Sequence, residues 1–109
     1  MTTRTKIKKS DFTQINPGQA RSYQIGENKI VICNVNGEYF AIDDVCSHDD
    51  GELVSGEGQL IDSCQIECPR HGARFDVRTG EAKKMPAVAP IKTYKVVVKG
   101  DELEINIEG

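Results

Sequence analysis

The chain has 109 residues, 38% of them hydrophobic and 28% charged, with a formal net charge of −3 at pH 7. That length fits one domain, expected over residues 1–109, burying roughly two thirds of the surface that the unfolded chain exposes. Interspersed acidic and basic residues leave no basic footprint for nucleic acid, and no apolar run reaches the roughly eighteen residues that a membrane helix needs. The polar, basic residues 1–9 lack the apolar core of a secretion signal. A cytoplasmic protein is therefore expected, in which the four cysteines stay reduced or bind metal rather than pair as disulfides.

Taken in chain order, residues 5–9 alternate polar and apolar around Ile7, as a short edge strand would. Ser10-Asp11 suits the cap of a single helical turn, and Asn16-Pro17-Gly18 reads as a turn. Residues 19–25 are weakly strand-like, Gly26-Glu27-Asn28 reverses the chain, and residues 29–35 form a clear β run through Ile30-Val31-Ile32-Cys33. Asn36-Gly37 is the strongest short hairpin signal, because a type I′ turn needs positive φ at both central residues. Residues 38–43 then pair back. Cys33, in phase with Val31 and Val35, is expected to be a buried small hydrophobe.

Residues 60–62 and 65–67 are expected to form a hairpin, with 74–76 leading on to a turn at Thr79-Gly80. The segment 85–90, bounded by Pro86 and Pro90, cannot join a central ladder. Two strands follow. In the first, Tyr94, Val96 and Val98 alternate with Lys95 and Lys99. In the second, Leu103, Ile105 and Ile107 alternate with Glu102, Asn106 and Glu108, with a turn at Gly100-Asp101 between them. No stretch sustains a 3.6-residue period. Many short strands predict an all-β protein, an antiparallel sandwich or small barrel.

Among these strands lie Cys46-Ser47-His48 and Cys68-Pro69-Arg70-His71. The chain has two histidines, and each falls within three positions of a cysteine. Gly51 follows the first pair and Gly72 the second. A thiolate and an imidazole on each of two loops make a clamp for metal chemistry between soft and borderline. A structural Cys₂His₂ zinc site is the plain alternative, although zinc fingers pair like with like and both pairs here are mixed. Cys64 has no histidine after it at the required spacing and is read, like Cys33, as a non-ligand; a Cys33–Cys64 disulfide is the remaining alternative.

Cys46-Ser47-His48, Cys68-Pro69-Arg70-His71-Gly72, Phe75-Asp76 and Thr79-Gly80 together resemble the Rieske iron–sulfur proteins. The likeness is greatest to the ferredoxin components of bacterial aromatic-ring-hydroxylating dioxygenase systems. It runs from about Asn28 to the C-terminus and less distinctly through residues 6–18. The resemblance implies one [2Fe-2S] cluster, with Cys46 and Cys68 on one iron and His48 and His71 on the other. It implies a Rieske-like antiparallel fold with an inserted cluster-binding subdomain at about residues 45–82. The segment between the two ligand loops is a residue or two longer than the family suggests, with the extra length expected within residues 54–59.

The same resemblance implies a monomeric one-electron carrier rather than a catalyst. It would take electrons from an NAD(P)H-dependent flavoprotein reductase and pass them to a terminal oxygenase, with no nucleic acid or membrane as partner. The alternative is the small Rieske-like subunit of an assimilatory nitrite reductase. High-potential members carry disulfide cysteines where this chain has Gly51 and Arg70, and serine and tyrosine hydroxyls where it has Ala73 and Phe75. Fewer hydrogen bonds to cluster sulfur destabilise the reduced form, so the potential is expected at the low end of the Rieske range. Gly51 and Gly72 are expected to let backbone N–H groups approach the sulfides. The acidic run Asp43, Asp44, Asp49, Asp50 and Glu52 is expected to be a solvated loop face, with docking to a basic partner as its alternative. For Arg70 and Arg74, a bridge to those acids and contact with a partner both stay open.

Overall fold

The computed structural model describes residues 2–8 (backbone), 15–25, 28–45, 53–54, 57–62, 64–68, 72–85, 89–99 and 102–108. These residues contain ten strands and no helix: β1 (Thr2–Lys8), β2 (Gln19–Ile25), β3 (Asn28–Val35), β4 (Glu38–Asp43), β5 (Glu57–Gln59), β6 (Gln65–Glu67), β7 (Arg74–Asp76), β8 (Ala82–Lys84), β9 (Thr93–Lys99) and β10 (Glu102–Glu108). Seven of them form one sheet in the order β1-β10-β9-β4-β3-β2-β5, and β6-β7-β8 form a second. Every pairing is antiparallel. The all-β expectation is met.

The apolar run in β3 explains the layering. A strand covered on one face alternates, whereas one covered on both reads as a continuous hydrophobic stretch. Residues 30–35 are all buried. Ile30 and Ile32 join Ala41, Tyr94, Leu103 and Ile105 in one cluster. Since β3 and β10 are not neighbours in the large sheet, that sheet must curl to bring them together. Val31, Cys33 and Val35 point the other way, into a second cluster with Ile42, Ile66, Phe75 and Val77. Each fully buried aliphatic side chain contributes about 1.5–3 kcal/mol by leaving water.

The hairpin between β3 and β4 turns on Asn36 (φ 52°) and Gly37 (φ 96°), the two positive values that the Asn-Gly pair predicts. Asn34 secures its base. Its Nδ2 donates to the Ile15 carbonyl at 2.8 Å, and its Oδ1 accepts from Gly37 N at 2.8 Å. The turn at residues 16–18 is present, with Gln19 N donating to Asn16 O at 2.9 Å. The expected cap at Ser10-Asp11 and the turns at Gly26-Glu27 and Gly100-Asp101 lie outside the described residues.

Several details differ from, or add to, what the pattern predicts. β1 is a full seven-residue edge strand, paired along its length with β10. Residues 57–59, within the stretch expected to hold the extra length, form β5 and add an edge to β2. Residues 60–62 contribute one bridge, Ile61 to Gln65, rather than an arm of a hairpin. Val98 is 54% exposed despite its phase with Tyr94, because the β4 partner strand reaches only Thr93 and Tyr94. β8 has no apolar alternation to announce it, and forms where Ala82 and Lys84 pair with β7 across a register shift.

Candidate metal centre

The second ligand loop is the tip of the β6–β7 hairpin. Its arms pair Gln65 with Asp76, Ile66 with Phe75 and Glu67 with Arg74. Beyond the last pair, Cys68 N donates to Ala73 O at 2.7 Å and Gly72 N to Cys68 O at 3.0 Å. That turn needs a left-handed residue, and Gly72 supplies it at φ 76°. Its own N–H is taken by the Cys68 carbonyl. Cys68 is 0% exposed and forms no disulfide. Pro69, Arg70 and His71 lie outside the described residues.

Polar pairs brace this hairpin. Arg74 Nε bonds Glu67 Oε2 at 2.9 Å across the arms, a partner outside the acidic run. At the base, Asp76 accepts from Arg78 N at 2.8 Å and Nε at 3.1 Å through Oδ1, and from Nη2 at 2.9 Å through Oδ2. The Arg78 guanidinium holds the Asp76 carboxyl below the usual carboxylate range. A depressed folded value means the stabilisation is present above the unfolded pKa, about 4, and is lost as pH falls through the folded one. Asp76→Asn is thus expected to lower stability at neutral pH. In parallel denaturant titrations its gap from wild type should close at acid pH.

Cys46, Ser47, His48, Asp49, Asp50, Gly51 and Glu52 also lie outside the described residues, but both ends of their loop are defined. On the entering side, Asp43 N donates to Lys92 O and Asp44 N to Lys29 O, each at 2.9 Å. Tyr94 donates its hydroxyl to Asp43 Oδ1 at 3.2 Å. Burial, reinforced by the Asp43 charge, pushes the Tyr94 hydroxyl up to about 12. On the leaving side Leu53 is buried in the same cluster as Cys68, Ala73 and Phe75. One apolar cluster therefore holds described ends of both ligand loops.

Asp44 departs from the reading of the acidic run as a solvated face. It is 0% exposed. Its Oδ1 accepts from Leu53 N and Val54 N, both at 2.8 Å, and its Oδ2 accepts from the Ser22 hydroxyl at 3.0 Å. The available signal was its place just past a strand end, where aspartate readily captures backbone amides.

The donor chemistry fits a thiolate-ligated centre. Cys68 is a buried thiol at a loop tip, whereas Cys33 lies deep in β3, where burial drives its thiol pKa upward and leaves it inert. Cys33 and Cys64 are both free thiols in the structure. Among the described residues no three His, Cys, Asp or Glu side chains gather as a metal site, the other three expected ligands being outside them.

Comparison with known proteins adds the family. The model of the Rieske [2Fe-2S] domain matches residues 5–95. The ferredoxin component of biphenyl 2,3-dioxygenase from Rhodococcus jostii is 44% identical over 93 residues, 85% of this chain and 84% of that protein. The ferredoxin of carbazole 1,9a-dioxygenase from Nocardioides aromaticivorans superposes with a TM-score of 0.78 at 32% identity, covering 93% of this chain and 96% of that one. A ferredoxin–oxygenase complex of carbazole 1,9a-dioxygenase gives 0.80 at 28% identity, covering 94% and 91%. A Mycobacterium tuberculosis structure described as a nitrite reductase small subunit scores 0.78 at 13% identity, over 100% and 98%, a likeness of fold alone. With a buried thiol at the neck of the second loop and most of the chain matched, the protein belongs to the Rieske [2Fe-2S] domain family, and its cofactor is a Rieske-type [2Fe-2S] cluster.

Proposed function

We propose that the chain is the ferredoxin of an aromatic-ring-hydroxylating dioxygenase system. It carries single electrons from an NAD(P)H-dependent flavoprotein reductase to a terminal oxygenase. The observation that carries this reading is the 44% identity, across 85% of the chain, to a protein named as a dioxygenase ferredoxin component. The oxygenase as acceptor is supported by the complex of a related ferredoxin with its oxygenase. The nitrite reductase alternative rests on a likeness of fold and is the weaker reading. The chain acts as a monomer in the cytoplasm, residues 1–109 forming one Rieske domain with its cluster-binding part at about 45–82.

Cys46 and Cys68 hold one iron, and His48 and His71 hold the other. When bound, the cluster supplies one-electron redox chemistry. The β6–β7 hairpin carries Cys68 and His71 on a tip braced by the Glu67–Arg74 pair. His48 and His71 offer partners the short path for the electron. Ala73 and Phe75, both fully buried, bring no hydroxyl to a cluster sulfur.

Reduction of the purified holoprotein by dithionite, followed by EPR and a redox titration, tests this directly. The expected result is a binuclear-cluster signal with a midpoint at the low end of the Rieske range, about −150 mV. A midpoint above roughly +100 mV would overturn the reading of Ala73 and Phe75. Folded, iron-free protein from anaerobic preparation would overturn the carrier itself. Reduction by NADH through a ring-dioxygenase reductase, and reoxidation by its oxygenase, distinguishes the system from nitrite reduction.

A further inference from the structure

The Asp44 carboxylate is fully buried, and the carrier function gives it no role. An aspartate that merely ends a strand captures amides about two residues on. Asp44 instead takes the amides nine and ten residues downstream, Leu53 and Val54, on the far side of the first ligand loop. Its second oxygen takes the Ser22 hydroxyl, 22 residues upstream on β2. We infer that Asp44 is the positioning residue of the first ligand loop: its carboxylate joins the two ends of the segment carrying Cys46 and His48 and ties them to β2. The inference rests on the assignment of Cys46 and His48 as ligands.

The arrangement leaves little slack. Two amide donors converge on one oxygen, at 2.8 Å each, and the group is sealed from water. Asp44 N is itself fixed to Lys29 O at 2.9 Å, so the carboxylate is anchored from both its backbone and its side chain. Loss of the clamp frees Leu53 and Val54 amides in a buried site, where an unsatisfied donor is costly. The loop between then has more conformations in which its ligands are misplaced.

Substitutions separate geometry from charge. Asp44→Asn keeps an oxygen for the two amides and turns an NH₂ towards Ser22, whose hydroxyl accepts as well as donates. Asp44→Ala removes the acceptor for the Leu53, Val54 and Ser22 donors. With holoprotein challenged by an iron chelator, Asp44→Ala is expected to lose cluster absorbance at least about tenfold faster than wild type. The EPR line shape of its reduced form should broaden as the ligand geometry spreads. Asp44→Asn should stay within about threefold of wild type and keep the line shape, a rescue that requires the hydrogen bonds rather than the charge.

Wild-type release and line shape in Asp44→Ala would overturn the inference, as would an Asn variant as damaged as the Ala variant. Should Asp44→Ala not accumulate as folded protein, Ser22→Ala decides. Release about threefold or more faster supports the clamp, and unchanged release overturns it. Cys46→Ala serves as the separate control. A cluster retained there would refute the ligand assignment rather than the clamp.

Discussion

Cys68→Ala is expected to yield protein without a cluster, colourless and unable to accept an electron from dithionite. Cys68 lies beyond the last pair of the β6–β7 ladder, wholly buried. No water or neighbouring thiol can take its place in such a setting without rebuilding the hairpin tip. Cys64, the next thiol along the chain, gives its carbonyl to Val77 N at 2.9 Å, which fixes its backbone below the tip. The loss should extend to stability, because metal bound only by the folded chain adds its binding energy to folding. The holoprotein should melt well above the variant, which should match wild type stripped of iron. Cys33→Ser and Cys64→Ser should both retain full iron content. Iron assay, visible absorption and calorimetry on the three variants check the set, and iron held at the wild-type level by Cys68→Ala would refute the assignment.

Gly80→Ala is expected to cost about 3 kcal/mol, combining left-handed strain with overpacking. Gly80 stands at φ 82°, and a Cβ built there would overlap the Ile91 carbonyl oxygen and lie 3.1 Å from Thr93 Cγ2. Relief is unavailable on either side. Gly80 N donates to Asp76 O at 2.7 Å, and its carbonyl accepts from Ile91 N at 2.8 Å. The residue thus stitches the three-stranded sheet to the segment entering β9. A loss of that size lowers Tm by on the order of 12 °C in a domain of this length. Gly72→Ala is the matched comparison, with a similar φ of 76° and open space around its Cβ. It should lose only the strain, about 1–2 kcal/mol. Equal losses in the two variants would show that the contact with Ile91 contributes nothing.

These two glycines mark a boundary in what the linear pattern reveals. Local chemistry was legible: Asn36-Gly37 dictates its own turn, and the run 30–35 declares a strand by composition. Leu103 and Ile105 mark a buried face by alternation. Partners distant in the chain were not. Nothing in Glu57-Gly58-Gln59 reports that β2 has a free edge for it, and Ala82-Lys83-Lys84 becomes a strand only because β7 lies alongside. Asp44 looks like one member of an acidic run until Leu53 and Val54 fold over it. The metal motif was readable because ligand spacing is itself local, two short cysteine–histidine segments. What holds those segments in place is tertiary and was not.

Ile66 and Phe75 of the small sheet, with Val77 just past its middle strand, are covered by Val31, Cys33 and Ile42 of the large one within a single apolar cluster. The small sheet is consequently not a portable module. Excised and transplanted, it would arrive with its underside stripped, so any redesign of the redox end must bring β3 and β4 along as its floor.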